Sequence, residues 1–122
     1  MTQATPNQYH RIGGGRIENL RLKPAEERLV PPGISVLRFD TPGRAAAAIR
    51  AAFSKSTRIR IAAATVGSAS EESIRAAGFD IMADSSRKLP THCRIVHADG
   101  INGFNDVNLA RLAAAFVTTT GH

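Results

Sequence analysis

The sequence predicts an α/β domain with α+β character at its C-terminal end: a small mixed sheet of about four to five strands with three helices. Three observations point there. Ile34–Phe39 is a short run of β-branched and aromatic residues bounded by Pro31-Pro32-Gly33 and Thr41-Pro42, as a buried strand requires. Helix-start signals follow strand-like runs directly, at Thr41-Pro42 and at Ser68 to Glu71. The resulting order of strand, helix, strand, helix, strand through Ala83 implies parallel pairing with crossover helices.

Taken in order, residues 1–15 combine Thr, Gln, Asn and Pro with the Gly13–Gly15 run and carry no apolar period, so a flexible N-terminal arm is expected ahead of a single domain over 16–122. Arg16–Leu22 reads as a strand from the alternation of Leu20 and Leu22, and Pro24–Arg28 as one helical turn. Pro31-Pro32-Gly33 stops any helix, because each proline disfavours helical geometry in the residue before it. After the Ile34–Phe39 strand, Thr41 is an N-cap and Pro42 a first helical residue, with Ile49, Ala52 and Phe53 on one face. Arg58–Thr65 is the next expected strand. Ser68 and Glu71 form a capping box for a helix that Gly78 ends. Phe79–Ala83 and Cys93–His97 are strands that fold back antiparallel across Asp84–His92. Asn105 or Asp106 caps a last helix with Leu109, Leu112, Ala113 and Phe116 as its apolar stripe, and Thr118–His122 frays.

The chain of 122 residues is 43% hydrophobic and 21% charged, which places it in the globular range. Its charge of +6 is uneven: residues 1–61 carry eleven Lys or Arg against four acids, and residues 62–122 five against six. A basic first half attracts phosphate-bearing partners, a nucleic acid among them. With no Trp and a single Tyr, the core is built from Ile, Leu, Val and Ala. The small-residue helix faces Arg44–Ala52 and Leu109–Phe116 then suggest a homo-oligomer. One cysteine, Cys93, excludes an internal disulfide, and there is neither a signal-peptide pattern nor an apolar run of about 18 residues, so a cytoplasmic protein without a membrane partner is expected. No nucleotide-binding fingerprint occurs, and no cofactor is expected.

If the central strands are parallel, Asp40–Gly43, Thr65–Ser70 and Asp84–His92 leave one carboxyl edge, where open α/β sheets bind ligands. Thr41, Ser68 and Ser70 would present helix N-termini there, and Arg87 and Lys88 would add positive charge, making an anion site. Capping alone also accounts for the two serines and the threonine. The run Thr91–His97 adds chemistry: strand alternation puts His92 and Arg94 on one face and Cys93, Ile95 and His97 on the other. His92 as acid or base with Arg94 as oxyanion holder is the catalytic pair expected, with His97 a strand-end histidine bonded to the following turn and Cys93 a core residue. Cysteine and the four histidines never fall into metal-ligand spacing, so no metal site is expected.

Ile74–Asp80, Arg94–His97, Gly103–Asn105 and Asn108–Leu112 together resemble short uncharacterised bacterial proteins, some of them carried on mobile elements. The resemblance covers the last half of the chain and implies a bacterial source without implying an activity. Three functions are therefore expected in order. The first is a small anion-binding module for a nucleotide, a phosphometabolite or a nucleic-acid backbone. The second is a nuclease or group-transfer enzyme of bacterial toxin type, and the third a homo-oligomeric protein without small-molecule chemistry.

Overall fold

A computed structural model describes residues 7–122. The elements run β1 (Gln8–Ile12), α1 (Ile17–Leu20), α2 (Pro24–Glu27), β2 (Ile34–Phe39), α3 (Pro42–Ala52), α4 (Thr57–Ala62), β3 (Thr65–Ala69), α5 (Glu71–Ala76), β4 (Asp80–Ala83), β5 (His92–Val96), α6 (Asp106–Ala114) and β6 (Val117–Thr120), with a 3-10 turn at Gly100–Gly103. The six strands form one sheet in the order β4-β5-β2-β1-β3-β6, and every pairing is antiparallel. The fold is α+β, which corrects the expected α/β architecture with a mixed sheet and three helices. Six short α-helices are present among the described residues, of which only α3 and α6 reach seven residues.

The expected parallel pairing is absent. β2, β3 and β4 do run the same way, but β5 lies between β4 and β2, and β1 between β2 and β3. The strand that separates β2 from β3 comes from the stretch expected to be an arm. Tyr9, His10 and Arg11 of β1 are all buried, and β1 pairs with β2 from Gln8↔Phe39 and with β3 from Tyr9↔Ala69. Its QYHRI sequence hides the strand, because polar side chains occupy buried positions through specific partners instead of apolar packing. Residues 1–6 of the expected arm lie outside the described residues.

Two faces of the sheet are covered. On one, Leu20 of α1, Ile74 of α5 and Leu109 and Leu112 of α6 pack on Tyr9, Val36, Ala69, Cys93 and Ile95. On the other, Ala46 and Ile49 of α3 meet Ile12, Ala63 and Val66. Ala45, Ala46, Leu109, Leu112 and Phe116, whose faces suggested self-association, are thus buried inside the chain.

Several boundaries move for local reasons. Arg16–Leu22 holds helix α1 instead of a strand, with buried Leu20 packed in the core and Leu22 against it. Arg58–Thr65 begins as helix α4, because Ser56 accepts from the Ile59 N–H at 3.3 Å and starts a turn that the Arg-Ile alternation does not oppose. The strand comes afterwards, at Thr65–Ala69, and has no large side chain but Val66 because it lies against backbone: a Cβ on Gly67 would fall on the Gly15 nitrogen and 2.8 Å from the Gly14 carbonyl carbon. Gly14 sits at φ +105°, which a residue with a side chain rarely adopts, so the glycine run is a tight turn packed on β3. Ser68 consequently lies within β3 and caps nothing; Ser70 caps α5, accepting from the Ser73 N–H at 3.1 Å. Val117–Thr120 is an edge strand instead of a frayed end, held after it by the His122 N–H on the Ala64 carbonyl at 3.1 Å.

Candidate functional site

The antiparallel order still brings the ends of β2, β3 and β4 to one edge of the sheet, because these three strands share a direction. Thr41 caps α3 there, accepting from the Arg44 N–H at 3.2 Å, and Ser70 caps α5. The two helices, however, pack on opposite faces, α3 with Ala63 and Val66 and α5 with Tyr9 and Phe79. β5 is also three strand spacings, about 14 Å, from β3. Thr41, Ser70 and His92 therefore do not converge on one anion. Arg87 and Lys88 lie exposed in the connection from β4 to β5, with the Lys88 ammonium 5.2 Å above the Phe53 ring.

His92 and Arg94 do share a face, and the group between them is Asp84. The β4–β5 register, Ala83↔Cys93, places Asp84 opposite His92. His92 Nδ1 lies 2.9 Å from the Asp84 carbonyl and 3.4 Å from its carboxylate, both acceptors, so the neutral ring carries its proton on Nδ1 and its lone pair on Nε2. Arg94, 7% exposed, spends its guanidinium on structure: Nε and one terminal nitrogen reach Asp84 at 3.3 and 3.1 Å, and the other donates to the Pro31 carbonyl at 2.6 Å. The arginine ties the Pro31–Gly33 segment to the sheet and is not presented to a ligand. His97 accepts from the Asp99 N–H at 3.1 Å through Nδ1, the turn bond expected for it, and packs edge-on to Phe79. Cys93 is 6% exposed in the core, where burial pushes its thiol up.

Ser68 has a partner that the sequence reading did not connect to it. Its hydroxyl is 2.7 Å from His10 Nδ1, and His10 Nε2 is 2.8 Å from the Phe39 carbonyl. A carbonyl only accepts, so Nε2 is protonated, Nδ1 accepts from Ser68, and the fully buried ring is neutral. Burial holds its pKa below the ordinary histidine value, against the opposing pull of the Phe39 carbonyl and Asp40. Since the unfolded chain takes a proton near pH 6.5 and the folded chain only lower, this contribution is complete above about pH 6.5 and is lost as pH falls through the folded value. Urea unfolding between about pH 7.5 and 5.5 should show a stability loss that is shallower in His10→Gln, by up to about 1.4 kcal/mol per pH unit. Equal slopes for the two proteins would refute the neutral buried ring.

A cavity of about 360 Å³ opens between the α3–α4 face and strands β1, β2 and β5. Its walls are Ile12, Leu37, Ile49, Phe53, Ile59, Ala62 and Leu89. Lys23 and Arg58 also line it, and so does His92. Below Lys23 lies a buried ion pair: Glu26 accepts from Arg11 at 2.7 and 3.3 Å, from the Ser35 N–H at 2.8 Å and from the Lys23 N–H at 2.9 Å. All four bonds leave that carboxylate saturated. Lys23 and Arg58 have no carboxylate within ion-pair distance among the described residues. Partial burial, then repulsion from Arg11 and Arg58, lowers the Lys23 ammonium below its ordinary value despite Glu26.

No family model, curated protein or solved structure matches this chain. No helix among the described residues is long and apolar enough to cross a membrane.

Asp84, Lys23 and Arg58 are the residues that sequence reasoning missed. Asp84 had a usable signal, since counting outward from an antiparallel β4–β5 pair puts it across from His92. Lys23 and Arg58 had none: they are 35 positions apart and meet only because β1, unseen as a strand, brings α2 and α4 to one cavity.

Proposed function

We propose that this chain is a small-ligand-binding module whose cavity takes an amphiphilic anion, with its apolar body against Leu37, Ile49, Phe53 and Ile59 and its charged head between Lys23 and Arg58. The observation that carries this reading is the pair of cations lining a largely apolar cavity, neither with a carboxylate within ion-pair distance among the described residues, while the Glu26 carboxylate that also lines it is taken up by Arg11 and two backbone N–H groups. Like charges brought together are relieved by an anion between them, and an arginine can hold a carboxylate or phosphate through two parallel bonds. The volume lies within the range of small-molecule sites, and a concave apolar pocket suits a discrete ligand better than a polymer backbone. The nuclease reading has less support, because the guanidinium expected to hold its oxyanion is committed to Asp84 and Pro31.

Calorimetric titration with octanoate and with octanol tests the reading. Octanoate should bind at least about tenfold more tightly than octanol, and Lys23→Ala or Arg58→Ala should each weaken octanoate about threefold to tenfold. Equal affinity for acid and alcohol, or alanine variants that bind octanoate like the unaltered chain, would remove the anion from the proposal.

A further inference from the structure

At the other end of the same cavity is a hydrogen-bond acceptor with nothing to accept from. His92 Nδ1–H is occupied by Asp84, and Nε2 has no partner among the described residues. No buried side-chain nitrogen or oxygen among these residues lacks a partner, so Nε2 is reached from outside instead of being sealed in the core. The side chain is only 17% exposed, and His92 lines the cavity. Asp84 is itself fixed by two bonds from Arg94, and its N–H donates to the His92 carbonyl at 3.0 Å, so the ring is held in one orientation and one tautomer. The imidazole is pre-organised as an acceptor.

Strand geometry sets how far the His92 backbone lies from that of Ser35, the strand residue that shares the Glu26 carboxylate with the Lys23 N–H. Ser35, whose N–H binds Glu26 beside Lys23, and Leu37, which pairs with His92, are two residues apart on β2, and both line the cavity. Two residues of strand and one strand spacing give a separation of about 8 Å along the cavity floor.

We infer that His92 determines the specificity of this cavity: its ligand is an amphiphilic anion that carries a hydrogen-bond donor, a hydroxyl or amide N–H, at the end remote from Lys23 and Arg58. The inference rests on the anion-binding reading above and adds a second polar anchor to it. A ligand with a terminal methyl group leaves Nε2 unpaired and strips it of water, whereas one with a terminal hydroxyl satisfies it.

The test is the ratio of affinities for ω-hydroxyoctanoate and octanoate, which share head group and chain. The unaltered chain should prefer the hydroxy acid about threefold to tenfold. In His92→Phe, which keeps a flat ring but has no acceptor, the ratio should fall to about one, while in Lys23→Ala both ligands should weaken together and the ratio persist. Should the phenylalanine variant not fold, His92→Leu, which also lacks an acceptor, serves for the same measurement. A ratio of one in the unaltered chain, or a ratio that survives loss of the imidazole, overturns the inference while leaving the anion reading standing if octanoate binding still depends on Lys23 and Arg58. Failure of both acids to bind overturns the two together.

Discussion

A chain that begins at Arg16 is expected not to fold. Residues 8–12 occupy an inner position of the sheet, hydrogen-bonded on one side to β2 and on the other to β3, so their removal breaks two ladders and divides the sheet into β4-β5-β2 and β3-β6. β2 and β3 are then two strand spacings, about 10 Å, apart, with a row of backbone groups on each facing a gap. Closing up would require a new parallel register through the α3–α4 connection, with nothing to replace Tyr9, His10 and Arg11 between the two faces of the sheet. The deletion also removes Tyr9 from the main core cluster, His10 from its bonds to Ser68 and Phe39, and Arg11 from Glu26. Circular dichroism should show loss of the cooperative thermal transition, and amide proton resonances should collapse into the range of an unstructured chain. In the intact protein the Tyr9–Ile12 amides should be among the slowest to exchange. A truncated chain that unfolds cooperatively with the original denaturant slope would mean that β1 is dispensable and that the sheet order is wrong.

What was legible in the sequence divides along the same line. Elements whose apolar residues follow a period and whose ends carry capping residues were readable: Ile34–Phe39 is β2 to the residue, Thr41-Pro42 opens α3, Gly78 closes the helix before β4, and Asn105 caps α6 by accepting from the Asn108 N–H at 2.9 Å. Those signals are local, and local physics decides them. β1 and β3 were not readable because their interior positions are filled by His10, Arg11, Gly67 and Ser68, which look like surface or loop residues until their partners, 15 to 58 positions away, are known. Missing β1 changed the whole topology, since strands of common direction read as neighbours once the strand between them is overlooked. The candidate site followed the fold: His92 and Arg94 were placed correctly on one face by alternation, whereas the claim that two helix N-termini meet them failed because the helices lie on opposite faces.

Loss of either member of the Arg11–Glu26 pair should cost about 3–5 kcal/mol, a large share of the roughly 5–15 kcal/mol that holds a domain of this kind together. Arg11 is 4% exposed and Glu26 6%, so neither charge can turn to water when its partner is gone. Burial on its own would raise the Glu26 carboxyl, but the Arg11 hydrogen bonds and charge, with the N–H groups of Ser35 and Lys23, outweigh it and hold the pKa below the ordinary value. The contribution is therefore present above the unfolded value near 4.5 and is lost as pH falls through the lower folded one. Arg11 also donates to the Asn19 and Ser35 carbonyls at 3.0 Å each, so the pair joins α1, α2, β1 and β2 at one point. Urea unfolding of Arg11→Met, Glu26→Leu and the double variant decides how the cost is divided. Each single variant strands a buried charge; the double variant strands none and should be more stable than the sum of the two losses predicts by about 1–3 kcal/mol. Recovery should stay incomplete, because the two carbonyls and the Ser35 and Lys23 N–H groups still lose their partners. Single variants that cost less than about 1 kcal/mol, or losses that simply add, would show that the pair is solvated and that the anchor between the first strand and its two following helices lies elsewhere.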